Sequence, residues 1–352
     1  MSSSPIRQKI LVMRFSALGD VALTIPVLKA FLASNKDVRV VMASEKQLSG
    51  LFSGIERLEF EGFDLKGEFK GLLGIFRIYN FLRKKHDFSL VADLHGVLRT
   101  HVLRFLFEVG KRKTEMINKG RIEKYALVRR ENKIYRPLTH ATERYVDVFR
   151  RLGFVVNLSK TQHPLDTAEW ANVSDPAPEQ TSTGNVPVNI GFAPFAKHNA
   201  KMYPIDKFKE IVESFNREPY QLYFFGGKGA ERLLLADWEE KFTHAVQFPA
   251  ISSLADELKL MQQMQVMVTM DSANMHLASL VDVPVVSLWG PTHPYAGFYG
   301  YRQDPLNAVQ VNLSCRPCSV FGNSTCWRGD HACMEQITTA MVVEKVEKII
   351  KG

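Results

Sequence analysis

The stretch from Val268 to Pro294, VTMDSANMHLASLVDVPVVSLWGPTHP, constrains the fold more than any other part of the chain. It reads strand, polar turn, helix, strand, polar loop. Val266–Met270 is a short apolar strand, stopped by Asp271 and Ser272, which suit a helix N-terminus. Met275–Val281 has helical spacing. Val283–Trp289 is almost wholly apolar, the pattern of a strand buried on both faces of a parallel sheet. Gly290-Pro291-Thr292 then turns the chain. Two polar loops therefore leave the carboxyl ends of neighbouring parallel strands, where open α/β sheets bind ligands. Asp271, Ser272, His276, Gly290, Pro291 and Thr292 stand there, and a helix N-terminus suits a phosphate or a sugar. The plain alternative is that Asp271 and Ser272 only cap the helix and that His276 only packs.

The same alternation runs through the rest of the chain. Lys9–Arg14 (KILVMR) reads as a strand, Phe15–Asp20 as a loop, and Val21–Ala33 as one helix. The loop lacks G-x-G-x-x-G, so the dinucleotide fingerprint is absent. It carries Gly19, which lets backbone approach a ligand, and Asp20, a carboxylate expected at the helix N-cap. Phe88–Asp93 is another buried strand, followed by His95, and Val97–Phe107 is helical. After Thr167–Pro187, a Pro-, Ser- and Thr-rich linker without period, the βα pattern restarts at Val188–Ala193. The loop Pro194–Met202 brings Lys197 and Lys201. A strand at Gln221–Phe225 leads into Gly226-Gly227-Lys228-Gly229 and a helix carrying Glu231. Thr338–Lys351 is an amphipathic helix able to dock on either domain. Two α/β halves of this kind form a pair of doubly wound domains, and a cleft between domains is a preferred ligand site.

Length and charge narrow the function. A chain of 352 residues suits two domains, and 45% hydrophobic with 23% charged residues is ordinary for a soluble protein. No apolar run approaches about 18 residues, and the polar start is no secretory signal, so a cytoplasmic protein is expected. The net charge of +8 points to an acidic partner. Lys111–Arg136 is the most basic segment, either a solvated face or a surface for a phosphorylated or membrane-borne acceptor. It lacks the aromatic interleaving of a nucleic-acid platform. All four cysteines fall in one segment, Cys315-x2-Cys318-x7-Cys326-x6-Cys333. C-x2-C is the usual first half of a structural zinc site, and a closed set of four thiolates would be structural rather than catalytic. Four reduced thiols, or disulfides, are the alternatives.

Taken in order, these motifs resemble glycosyltransferase family nine, the ADP-heptose:lipopolysaccharide heptosyltransferases. The carriers are Lys9–Pro26 (KILVMRFSALGDVALTIP), Lys201-Met202-Tyr203-Pro204, Gly226-Gly227 with Glu231, Asp271-Ser272-Ala273, His276-Leu277-Ala278 and Gly290-Pro291-Thr292. The resemblance implies the GT-B architecture, two Rossmann-like doubly wound α/β domains facing a cleft. Residues 1–166 would form the acceptor side, 167–187 the linker, and 188–337 the nucleotide-sugar side with the Cys-rich segment. The helix over 338–352 often crosses back to the first domain in the family. The implied reaction is metal-independent, inverting transfer of a heptose from ADP-heptose to a hydroxyl of the phosphorylated lipid A-core, at the inner face of the inner membrane. Inversion needs a base on the acceptor hydroxyl and stabilisation of the departing diphosphate. The resemblance and position imply Asp20 as base and Lys201 as diphosphate clamp, with Lys197 as a second phosphate contact. Asp271 would hold donor-sugar hydroxyls, Glu231 the ribose, and His276 the turn or a phosphate. Departures are Ala196 before Lys197, Tyr203 where tryptophan is usual, and Ala273 where glycine is commoner. They bear on the donor more than on the fold. The rivals are another enzyme of the same fold, such as a nucleotide-sugar epimerase or hydrolase, and a basic non-enzymatic anion-binding protein.

Overall fold

The computed structural model describes residues 6–160, 187–246 and 253–352. Along the chain these form β1 (Gln8–Met13), α1 (Leu18–Ala22), α2 (Thr24–Ser34), β2 (Val38–Glu45), β3 (Leu58–Phe63), α3 (Gly71–Lys85), β4 (Leu90–Asp93), α4 (Leu98–Val109), β5 (Lys113–Met116), α5 (Arg121–Val128) and α6 (Ala141–Leu152). Then come β6 (Val188–Ala193), α7 (Ile205–Ser214), β7 (Tyr220–Phe224), α8 (Ala230–Lys241), α9 (Leu254–Met261), β8 (Val266–Met270), α10 (Ala273–Leu280), β9 (Val285–Leu288), β10 (Ala308–Val309), α11 (Ala332–Glu335) and α12 (Thr339–Lys351). They fall into two compact units, one holding described residues up to 119 and from 141 to 160, the other 120–140 and everything from 187 on. No helix among the described residues is long and apolar enough to cross a membrane.

The first unit is a five-stranded parallel sheet in the order β3-β2-β1-β4-β5. Its central strand is buried from Ile10 to Met13 because both faces are covered. The helix expected over Val21–Ala33 is two helices, broken at Leu23. Pro26 has no N–H to offer the Ala22 carbonyl, and its ring crowds that oxygen, so the ladder restarts. Helix α6 closes the unit with Phe149 stacked on Phe31 at 4.5 Å.

The second unit repeats the plan with the order β10-β9-β8-β6-β7, again all parallel. Two segments from outside residues 188–337 join this unit, the first read above with residues 1–166 and the second as able to dock on either domain. Residues 120–140 belong with this unit: Leu127 and Leu138 pack with Ala296, and Lys124 sits 4.1 Å from the Phe298 ring. Helix α12 also docks here. Val342 and Val346 are fully buried in this unit's core, and Thr339 donates to Glu210 of α7 at 2.8 Å. The linker expected at 167–187 lies, except for its last residue, outside the described residues.

Val346→Asp would bury a carboxylate among these apolar groups without a partner. It should lower the unfolding free energy of the second unit by at least about 2 kcal/mol. Urea unfolding followed by Trp fluorescence checks this. A change within about 0.5 kcal/mol, as for an exposed position, would show that α12 is not docked there.

Candidate functional site

In the first unit the polar residues gather where β1 and β4 end. Arg14 directly follows β1, and its side chain is buried. Nη1 donates to the Leu94 carbonyl at 2.7 Å, and Nη2 meets Asp20 Oδ2 at 2.5 Å. The guanidinium also lies 5.8 Å from the Tyr145 ring centroid, and the Tyr145 hydroxyl donates to the Asp20 carbonyl at 3.2 Å. Asp20 is not the N-cap that was expected. Ala17 holds that position, so Asp20 falls in the first turn of α1, and Gly19 is buried beside it. The helix starts earlier because Val21 and Leu23 already donate to Ala17 and Gly19. Asp20 keeps 28% of its side chain exposed, enough to meet a ligand.

Asp93 and His95 have structural tasks. Asp93 Oδ1 accepts the His95 and Gly96 N–H groups at 2.9 Å each, which shapes the turn after β4. His95 Nδ1 accepts from the Phe15 N–H at 3.4 Å. Burial, then the nearby Arg14, Lys119 and Arg99, push the His95 ring down to about 3.

In the second unit four loops leave one edge of the sheet, after β7, β6, β8 and β9, which are neighbours in that order. The loop after β6 carries exposed Lys197 and half-buried Lys201, the latter at the end of a 3-10 turn, Asn199–Lys201. The loop after β8 carries Asp271 and Ser272. Lys201 Nζ and Asp271 Oδ2 meet at 2.9 Å, with only 12% and 11% of their side chains exposed. These two residues, read from the sequence as acting separately, are thus an ion pair. Ser272 is the N-cap of α10 and accepts the Asn274 N–H at 3.3 Å, so the capping role expected of it is present. Ala273 opens α10, and His276 is buried within it. After β7, Gly226 and Gly227 have φ of +105° and +81°, which side-chain-bearing residues rarely adopt. A Cβ on Gly226 would come 3.4 Å from Asn274 Nδ2, and one on Gly227 would strike the Glu231 side chain at 2.5 Å. The glycine loop, the start of α10 and Glu231 are therefore brought together.

Gly290, Pro291 and Thr292 follow β9. Thr292 is buried, and its Oγ1 has no hydrogen-bond partner among the described residues. The sequence pattern of glycosyltransferase family 9 (heptosyltransferase) matches residues 75–326, well over half of the chain. The chain belongs to this family. Among its relatives is lipopolysaccharide heptosyltransferase 1 of Pseudomonas aeruginosa, 26% identical over 250 residues, which are 70% of this chain and 66% of that protein. Lipooligosaccharide heptosyltransferase 2 of Haemophilus influenzae is 27% identical over 291 residues, 78% of this chain and 80% of that one. The chain spans about half the length of two Campylobacter jejuni lipooligosaccharide heptosyltransferases 2, at 51% of each. The solved glycosyl transferase family 9 protein of Veillonella parvula superposes with a TM-score of 0.72 at 19% identity, covering 98% of this chain and 97% of that one. The E. coli heptosyltransferase WaaC with ADP gives 0.69 at 16%, covering 97% and 99%. At such identities the likeness is one of fold, and the two parallel-sheet domains are those of the GT-B fold.

Around the family's Gly-Pro-Thr loop stand residues that sequence reasoning missed. His293 Nδ1 accepts the Tyr295 N–H at 3.1 Å, so Nε2 carries the proton and donates to the Tyr135 hydroxyl at 2.6 Å. Burial and then Arg316 push His293 down to about 4. Arg316 is buried, and its guanidinium donates to the carbonyls of Gly290 (2.5 Å), Thr292 (3.2 Å) and Val311. The lysine and arginine run read as a basic surface is partly internal scaffolding. Lys133 donates to the Cys315 carbonyl at 2.6 Å, and Arg130 lies 5.1 Å from the Trp327 ring. Clustering of basic residues carries no sign of which are buried, whereas an arginine between two cysteines was a signal to be weighed.

His95 and His293 are neutral in the folded chain at neutral pH and take up a proton near pH 6.5 when unfolded. From about pH 6.5 down to the folded values of about 3 and 4, the unfolded chain binds more protons, so stability falls as pH drops. His95→Gln should flatten the decline in melting temperature between about pH 7 and 5. An unchanged slope would remove His95 as its source.

Proposed function

We propose that this chain is an inverting heptosyltransferase that moves a heptose from ADP-heptose to a hydroxyl of the lipopolysaccharide inner core. The observation that carries the reading is the edge of the second sheet. There, a lysine-bearing loop, a glycine loop, a helix N-terminus and the Gly-Pro-Thr loop converge on one face. Such an arrangement suits a nucleoside diphosphate sugar: N–H groups and cations for the phosphates, carboxylates for hydroxyls. The names of its relatives support a heptose donor, and one E. coli heptosyltransferase was solved with ADP-2-deoxy-2-fluoro heptose.

In this reading Asp20 is the general base. Arg14 takes Oδ2 and fixes the carboxylate, which leaves Oδ1 to accept the proton of the attacking hydroxyl. The sugar carbon is displaced once, with inversion, and the bond to the diphosphate breaks. The departing charge falls on Lys201, on exposed Lys197 and on the N–H groups that open α10. These groups supply the electrostatic stabilisation without a catalytic metal. The pairing of Lys201 with Asp271 refines the assignment. Asp271 aims the ammonium and keeps a second oxygen for a donor hydroxyl. Glu231, beside Gly227, would hold the ribose, and His276, buried in α10, would support the turn.

Calorimetric binding of ADP-heptose beside ADP, UDP-sugars and GDP-sugars tests the donor. ADP-heptose should bind selectively. Lys201→Ala removes a charge-assisted contact of about 1.5–3 kcal/mol and should weaken binding about 10- to 100-fold. Asp20→Asn should leave donor affinity unchanged and abolish most transfer. Transfer near the normal rate would exclude Asp20 as base, and preference for another nucleotide sugar would change the donor.

The acceptor side supports contact with an anionic membrane surface. On α4, Leu98, Phe105 and Val109 form a solvent-facing stripe, and on α3 Leu72, Leu73 and Phe76 are exposed beside Arg77, Arg83, Lys84 and Lys85. Residues 66–113 hold 11 lysines and arginines against 4 acidic residues. Apolar wedges among cations suit an anionic bilayer. The protein should float with phosphatidylcholine vesicles containing phosphatidylglycerol, and not with phosphatidylcholine alone. Replacing Leu72, Leu73 and Phe76 with serine should release it. Equal recovery with both vesicles, or with neither, would overturn this contact.

A further inference from the structure

Residues 120–140 lie between β5 and α6 in the chain, yet they belong to the second unit. They are pinned there at several points. The Leu138 N–H donates to the Tyr295 carbonyl at 2.9 Å. The Lys133 ammonium donates to the carbonyls of Ser314 and Cys315, at 3.2 and 2.6 Å. His140 Nε2 donates to the Tyr299 carbonyl at 2.8 Å. Tyr135 stands between the anchors at Lys133 and Leu138, so its side chain is delivered to one place. Its ring packs on His293 and Tyr295, with centroids 5.1 and 5.0 Å away, and 55% of the residue remains exposed.

His293 decides where the protons sit. It is buried directly after the Gly-Pro-Thr loop, and burial and Arg316 keep its ring neutral. A neutral imidazole carries one N–H and offers one acceptor nitrogen. Nδ1 is the acceptor, because it takes the Tyr295 N–H at 3.1 Å. The proton is therefore on Nε2, and the Tyr135 oxygen 2.6 Å away accepts it. That leaves the O–H of Tyr135 itself without an acceptor among the described residues. Burial raises this hydroxyl above its ordinary value, against the pull of Arg316, so the proton stays on oxygen at neutral pH. Thr292, the residue before His293, is buried with its Oγ1 also lacking a partner. Buried hydroxyls of this kind are completed by water or by a ligand.

The unused O–H is packed into the nucleotide-sugar edge. The N–H groups of Cys318 and Ser319 both donate to the Pro291 carbonyl, at 3.0 and 3.1 Å. Gly322 is seated against the stem of Lys201, where a Cβ would come 2.2 Å from Cδ. The cysteine segment thus braces the loop through its backbone. Its cysteines are free thiols, and among the described residues no three His, Cys, Asp or Glu groups stand where they could hold a metal.

We infer that Tyr135 is a donor-binding residue: its hydroxyl, oriented by His293, donates a hydrogen bond to an oxygen of the sugar nucleotide at the Gly-Pro-Thr loop. The inference rests on the nucleotide-sugar reading and adds to it a contact from a segment that lies between two elements of the other unit. The acceptor is an oxygen of the diphosphate or of the sugar it carries. No proton is transferred. The bond strengthens if charge builds on that oxygen as the diphosphate departs.

Tyr135→Phe keeps the ring against His293 and Tyr295 and removes only the hydroxyl. In calorimetry on the full chain, it should bind ADP-heptose about tenfold more weakly, as expected for a lost hydrogen bond to a ligand oxygen. An equal loss for ADP assigns the contact to a diphosphate oxygen, and a loss for ADP-heptose alone assigns it to a sugar oxygen. Unchanged affinity for both, even with a lower melting temperature, would show that the hydroxyl only satisfies His293 and would overturn the inference. 3-Fluorotyrosine in place of Tyr135 gives a readout that a structural role would not move. Its phenol titration, followed by fluorine NMR, should shift upward with ADP-heptose bound, since an O–H donated to a ligand oxygen is harder to remove. Identical titrations with and without ligand would overturn the contact. If the wild-type chain binds neither ADP nor ADP-heptose, the nucleotide-sugar reading fails and takes the inference with it. Equal binding by wild type and Tyr135→Phe overturns the inference alone.

Discussion

Parallel strands cannot be joined by tight hairpins. Each must be followed by a crossover, and every crossover of a doubly wound sheet starts from the same edge. The structure depends on this constraint twice. In the first unit it puts Arg14 and the turn made by Asp93 at the ends of β1 and β4. In the second it puts Lys201, Asp271, the glycine loop and the Gly-Pro-Thr loop at the ends of four neighbouring strands. Residues as distant in sequence as Lys201 and Asp271 meet because strands β6 and β8 are neighbours in register.

Both units use the same electrostatic device. A cation from one strand end is held against a carboxylate from another segment, half out of water: Arg14 with Asp20, and Lys201 with Asp271. Such pairs add little net stability, since desolvation consumes most of the attraction. What they supply is aim. A carboxylate with one oxygen engaged has the other in a defined direction, and a lysine held by an aspartate loses most of its rotamers before a ligand arrives. Breaking the Lys201–Asp271 pair leaves an uncompensated charge, which makes these two residues sensitive in binding as well as in turnover.

Much of this was legible in the linear chain. Strands such as Ile10–Met13, and Val285–Leu288 but for Ser287, are apolar because both faces are covered, and the run of residue types alone shows it. Ser272 was readable as a cap because capping is a local hydrogen bond. Other features were not. The break at Leu23 depended on one proline within an otherwise helical pattern. The basic run over 111–136 concealed β5 and α5, because charge density says nothing of which cations turn inward. Lys124 and Lys133 are held by an aromatic ring and a carbonyl that come from more than 150 residues away in the sequence.

The amino-acid sequence by itself determined the alternation of strands and crossovers, the family, and the set of polar residues that follow strand ends, since each rests on local period and on short motifs. Only the tertiary structure decided which of those residues meet. It paired Lys201 with Asp271, placed α12 in the second unit's core, and set the cysteine segment beneath the Gly-Pro-Thr loop. The physical reason is that an amphipathic stripe or a charged group specifies the kind of partner it needs but not which one. That choice is made by strand order and close packing, which act between segments far apart in the chain.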